Sequence, residues 1–204
     1  MPAPSVPIPQ RMRRLKRDRR GYPIPAGVYV DDTGRPHFTI NDEATRLDQI
    51  VRHCCPICGT RIKNKAEQVF VGGPQSAFHP HGAYIDLPMH PDCAAYALQV
   101  CPYLAAPHYN GRLDDRTLTA ESGKVHIMLD NTVYANRPPT FVAVTCIQHS
   151  VTADGAYLKP GRPYIKVEYW QYGVRLSDAV GADIAHQYLS QPLPPPALPK
   201  VTIR

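Results

Sequence analysis

Short apolar runs of two kinds are spaced along this chain. Over residues 27–30 and 36–40 apolar side chains alternate with polar ones, and Asp31-Asp32-Thr33-Gly34 joins the two runs, which predicts a β-hairpin. Asn41 or Asp42 then caps a helix whose apolar positions Ala44, Leu47, Ile50 and Val51 share one stripe, the spacing of a face turned to a core. Residues 68–71 read as extended. The next stretch, 72–87, holds Gly72, Gly73, Pro74, Pro80 and Gly82 and predicts a hairpin or loop. Residues 93–100 read as a short helix, with Cys101 continuing the face of Cys93 and Ala97 as a core position. Pro102 and Pro107 stop helical propagation, and the polar stretch 110–123 reads as a loop or frayed helix. Three strand-like runs follow at 125–129, 141–146 and 164–172, the last two rich in β-branched and aromatic residues. In the third, Tyr164, Lys166, Glu168 and Trp170 alternate with Ile165, Val167 and Tyr169, and the first set reads as the solvent face. A closing helix over 177–189 has Ser177 as N-cap and Asp178 in its first turn.

Proline changes this picture at the ends. Pro2, Pro4, Pro7 and Pro9 open the chain and Pro192, Pro194, Pro195, Pro196 and Pro199 close it, so both termini are expected to be extended and flexible. The closing stretch has P-x-x-P spacing but reads as a stiff tail. Charge changes the picture again. Seven of the 23 basic residues (Arg11, Arg13, Arg14, Lys16, Arg17, Arg19 and Arg20) and one of the 17 acidic ones, Asp18, fall in residues 1–20, so the remainder holds 16 of each sign. The net charge of +6 thus belongs to an N-terminal arm, not to the body, and such an arm suits contact with the phosphates of DNA or RNA. No run approaches the ~18 apolar residues of a membrane helix. The basic start also lacks the apolar stretch of a secretory signal, so the chain reads as cytoplasmic and not membrane-bound.

Candidate chemistry lies in four residues. Cys55-Pro-Ile-Cys58 is followed, after 31 intervening residues that begin with Gly59, by His90-Pro-Asp-Cys93, and two pairs with two residues between partners match a tetrahedral Cys₃His zinc site. Pro56 pre-sets the turn and Gly59 permits the positive φ that follows it, as a zinc knuckle requires. Pro91 suits a first helical residue, which puts His90 and Cys93 in the opening turn of the helix. Cys54 competes with Cys55 for the first position and loses on spacing; His79 and His81 compete with His90 and lose because neither precedes a helix. Cys54, Cys101 and Cys146 remain, and an odd remainder argues against a disulfide framework.

Knuckle, extended segment and ligand-bearing helix occur in the order of a treble-clef-like zinc module. The fold class is therefore α+β, with that module packed against a mainly antiparallel β-sheet. Its expected organisation is a basic, Pro-rich disordered arm (1–20), a zinc-binding α+β module (21–109), a β-rich part (110–190) and a Pro-rich tail (191–204).

The chain also resembles a recurring group of uncharacterised bacterial and phage proteins. The resemblance rests on Arg11-Met-Arg, Arg20-Gly-Tyr-Pro-Ile-Pro25, the Cys55-to-Gly59 turn, Phe70-Val-Gly-Gly-Pro-Gln-Ser-Ala-Phe78 and Pro88-Met-His-Pro-Asp-Cys93-Ala-Ala-Tyr-Ala. It runs on through Val100-Cys-Pro-Tyr-Leu-Ala-Ala-Pro107 and continues more loosely in Phe141-Val-Ala-Val and Val167-Glu-Tyr-Trp. It implies the same four ligands in the same order, and a basic start native to the protein. Four protein ligands leave no open position on the metal, so Zn²⁺ is expected to be structural. The first functional reading is a zinc-stabilised binding protein that contacts nucleic acid through residues 11–20. An alternative is a protein-interaction or accessory module with purely structural zinc. A third is an HNH-like metal-dependent nuclease using His79, His81 and Asp86, against which stands the Ala94-Ala95-Tyr96-Ala97 run where further catalytic ligands belong.

Overall fold

A computed structural model describes residues 6–106, 137–153 and 155–191. The hairpin forms, with β1 (Val28–Val30) antiparallel to β2 (Pro36–Asn41). Helix α1 (Glu43–Arg52) follows, and the Asp42 carboxylate caps it by accepting from the Thr45 N–H at 2.7 Å. His53 closes α1 in the left-handed conformation (φ 54°) and turns the chain into the Cys-Pro-Ile-Cys segment. Next come β3 (Gln68–Gly72), α2 (Pro74–Phe78), α3 (Pro91–Val100) and α4 (Pro102–Ala105). The C-terminal half supplies β4 (Phe141–Cys146), β5 (His149–Val151), β6 (Leu158–Pro160), β7 (Lys166–Gln171), β8 (Val174–Arg175) and α5 (Asp178–Leu189).

The principal sheet runs β3-β4-β7-β8 and is antiparallel throughout. All six residues of β4 are buried, because both faces of the sheet are covered. On one face Val69, Val71, Phe141, Ala143 and Trp170 pack with Ala94 and Leu98 of α3 and with the cysteines of the metal motif. On the other, Phe70, Val142, Val144 and Tyr169 pack with Ala77 of α2, Ala185 of α5, Tyr84 and Leu158. β3 belongs to the half that carries the Cys/His quartet and β4 to the β-rich half, so the two halves share one sheet and its cores. Gln68 adds a polar tie between them: its Nε2 donates to the Ile147 carbonyl at 2.7 Å, and its Oε1 accepts from His149 Nδ1 at 2.7 Å.

Several expectations are corrected. Residues 6–20 are not a free arm. Met12 is 1% exposed inside the first core, in a 3₁₀ turn (Gln10–Met12), and Val6, Ile8 and Leu15 pack against the same cluster. Burial of these apolar side chains offsets the entropy of ordering a cationic segment. Of the stripe on α1, Ile50 packs against the core as expected, but the rest does not. Arg46 and Gln49 are buried, whereas Leu47 and Val51 are 48% and 77% exposed, because distant carbonyls claim the Arg46 guanidinium. The face of Trp170 is an inner face where α3 covers it, and Ile165 is exposed instead. Within 72–87 lies the short helix α2, which begins with Pro74 at its first turn. Arg162 and Tyr164 close α2 at its C-terminal end by donating to the Ala77 carbonyl at 2.8 and 2.6 Å. Cys101 is half-buried at the C-cap of α3 and not fully in the core. The expected strand 125–129, the loop 110–123 and the tail beyond Gln191 lie outside the described residues. Among the described residues no helix is long and apolar enough to cross a membrane.

The join between α5 and the sheet is tight enough to yield a prediction. A Cβ on Gly181 would lie 2.2 Å from both Cβ and Cγ of Tyr169, atoms held by β7. Gly181→Ala is expected to destabilise the fold by about 2–3 kcal/mol through overpacking, read as a lowered urea midpoint. A variant that unfolds with the wild type would contradict this packing.

Candidate metal centre

The ligand turn is built by backbone hydrogen bonds before any metal is considered. Gly59 N–H reaches the Cys55 carbonyl at 2.8 Å and Cys55 N–H the Thr60 carbonyl at 2.9 Å, with Gly59 at φ +69° as the tight turn demands. Gly27 and Ala26 pin the outside of the turn by donating to the Pro56 and Ile57 carbonyls. The second pair is placed by the sheet. Val69 and Met89 exchange two hydrogen bonds, of 3.0 and 2.8 Å, which delivers His90 to the N-cap of α3. Pro91 starts the helix, and Cys93 sits in its first turn, where the helix dipole favours a thiolate.

Cys55, Cys58, His90 and Cys93 are thereby brought together, all four buried, with their ligand atoms within 4.8 Å of one another. Cys58 Sγ lies 3.5 Å from His90 Nδ1. A tetrahedron with Zn–S of ~2.3 Å and Zn–N of ~2.0 Å has an S···N edge of about 3.5 Å, so the donor set and its spacing fit Zn²⁺. The thiols crowd one another. Hydrogen bonds from Cys55 and Cys93 hold Cys58 far below the ordinary thiol value. Burial, with Cys58 alongside, pushes Cys55 up to about 11. Contacts with Cys55 and Cys58, then burial, raise Cys93 as well. Three thiolates in this space would repel one another, and a bound dication would let all three ionise. Metal uptake therefore releases protons, and acidification opposes it.

Around the quartet lies a ring of contacts that spacing did not reveal. Thr60 Oγ1 is 3.0 Å from Cys58 Sγ and serves as a donor to a thiolate there. Arg14 donates to the Cys58 carbonyl at 3.1 Å, and Arg11 Nε to Asp92 Oδ2, between the two ligands of the second pair, at 2.9 Å. Partial burial works the other way, but the hydrogen bond to Asp92 and the nearby Cys93 and Cys58 sulfurs raise the Arg11 pKa above its ordinary value. The remaining basic residues divide. Arg17 donates to the Gly21 carbonyl and Arg20 pairs with Asp18, whereas Arg13, Lys16 and Arg19 are exposed and their side chains make no hydrogen bond among the described residues.

The competitors for the ligand positions lie elsewhere. Cys54 is buried with its Sγ 3.7 Å from the Arg52 carbonyl. The His79 and His81 rings stand 5.7 Å apart beyond α2, and Asp86 lines a separate small cavity with Arg46 and Gln49. These three form no metal-holding cluster among the described residues. Compared with protein-family models, with curated proteins and with solved structures, the chain matches none.

Proposed function

We propose that this protein is a zinc-stabilised binding module of treble-clef-like organisation whose ordered basic N-terminal segment contacts nucleic acid. A closed four-ligand site has no position for a substrate, so the metal's part is architectural. The observation that carries the binding reading is the group Arg13, Lys16 and Arg19: three exposed cations without partners, on a segment fixed to the metal centre. Ordered cations lose less freedom on meeting phosphates than those of a free tail. Deleting residues 1–20 would also remove Met12 from the core, so substitution is the sharper test. Wild-type protein is expected to bind single- or double-stranded DNA or RNA with strong salt dependence. Arg13→Gln/Lys16→Gln/Arg19→Gln should reduce the slope of log K against log salt by roughly 2–3, three phosphate contacts at ~0.7–0.9 each. Equal binding by the triple variant would contradict the assignment.

A second reading, a module for protein partners, is favoured by the outer face of α1, where Leu47 and Val51 face solvent. Capture of a protein partner that survives nuclease treatment and is lost in Val51→Glu would favour it over the first. No comparable observation supports the nuclease, because His79, His81 and Asp86 form no metal-holding cluster among the described residues.

A further inference from the structure

The two ligand pairs are far apart in sequence, and one short stretch of chain touches both. Arg14 holds the carbonyl of Cys58, a ligand of the first pair, and Arg11 holds Asp92, which lies between the ligands of the second. Met12, fully buried between these two arginines, belongs to the same apolar cluster as Cys55, Cys58 and Cys93. Charge adds a reason for this arrangement. Three thiolates and a neutral imidazole around a dication leave the loaded centre with one net negative charge, buried where water screens it poorly. Arg11 and Arg14 are the guanidinium groups that contact the centre's own segments, whereas Arg13 and Lys16, in the same stretch, are exposed and make no such contact.

We propose that residues 8–17 form a clasp on the metal centre, with Arg11 and Arg14 as positioning residues that hold the two ligand pairs together and offset the charge of the loaded site. This rests on the reading of the quartet as a zinc site. Coupling of this kind is reciprocal: whatever the docked segment adds to metal affinity, the bound metal adds to docking of the segment. Metal loading thus fixes in place the surface that carries Arg13, Lys16 and Arg19.

The test is competition for Zn²⁺ between the full-length protein and a chromophoric chelator. Contacts outside the ligand shell are typically worth 10–100-fold in metal affinity, so Arg11→Gln/Arg14→Gln should surrender zinc at about 10-fold lower chelator concentration than wild type. Both side chains reach solvent, and circular dichroism of the loaded variant checks that it is folded; single Arg14→Gln gives a milder form of the same shift. Arg11→Lys/Arg14→Lys, which keeps the charge, should recover most of the affinity. Arg13→Gln/Lys16→Gln should match wild type. Equal zinc transfer by wild type and Arg11→Gln/Arg14→Gln overturns the clasp and leaves the zinc site standing. An equal loss in Arg13→Gln/Lys16→Gln overturns it too, since bulk charge would then be responsible. Wild-type protein that holds no zinc overturns the underlying site and the clasp with it.

Discussion

Cys93→Ser is expected to lose its metal and, with it, the cooperative melting transition of the wild type. Cys93 is fully buried at the start of α3 and packs in one cluster with Cys55, Cys58, Met12, Val69 and Ala143, so the ligand also holds a helix against the sheet. Structural zinc supplies about 10–16 kcal/mol of binding free energy to folding in small zinc modules. The net stability of a whole domain is only about 5–15 kcal/mol, so a loss on that scale exceeds the margin available. The variant also leaves two buried cysteines crowded without the cation that lets them ionise. Circular dichroism melts of wild type, of Cys93→Ser and of wild type with excess chelator decide the matter. The last two should coincide and lack the wild-type transition, and a wild-type-like melt for Cys93→Ser would contradict a structural metal.

Arg46→Leu is the second large effect. The guanidinium is buried within α1 and donates to the carbonyls of Gly155 at 2.8 Å, Ile85 at 3.1 Å and Ala156 at 2.8 Å. The carboxylate within ion-pair distance among the described residues, Glu43, is 3.8 Å away and partly in solvent, so the carbonyls hold most of the charge. Leucine fills much of the volume but leaves three carbonyls without their donor, at about 1–3 kcal/mol for each group that stays buried. The expected loss is about 3–5 kcal/mol, measured as a fall in the urea midpoint at constant m-value. Arg46→Lys should not rescue it, because one ammonium cannot reproduce a fork that reaches two loops. A loss below ~1 kcal/mol would mean that these carbonyls find other partners.

Arg46 also shows why part of the fold was hidden in the sequence. Periodicity on α1 points to Ala44, Leu47, Ile50 and Val51 as the inner face, yet two of the three carbonyls that draw Arg46 inward lie more than a hundred positions along the chain, and of the stripe Ile50 packs against a core cluster. Helix existence and its Asp42 cap were local and legible; which face is buried was decided by long-range hydrogen bonding. Counting charge misled in a similar way. Seven cations in twenty residues point to a solvated arm, but the decisive residue is Met12, one apolar side chain buried in the core cluster that includes the cysteines and Val69 and Val71 of β3. Alternation alone puts Trp170 on the solvent face of β7, and only the packing of α3 residues in the same cluster turns it inward. By contrast, β4 and the N-cap of α5 follow from local composition alone, and they formed as expected. The metal quartet was legible because its chemistry is written in spacing: two residues between partners, a proline and a glycine to shape the first turn, a proline to start the helix. Its surrounding contacts, Thr60, Arg11, Arg14 and Asp92, carry no such signature and needed three dimensions.

The quartet anchors α3 and the basic segment docked beside it, so its metal content is the most direct measurement. Full-length protein purified without chelator and analysed by mass spectrometry of its metals should contain one zinc per chain, and Cys58→Ser and Cys93→Ser should contain none. Wild-type protein that carries no zinc, and takes up none when Zn²⁺ is added to the reduced chain, would contradict the account.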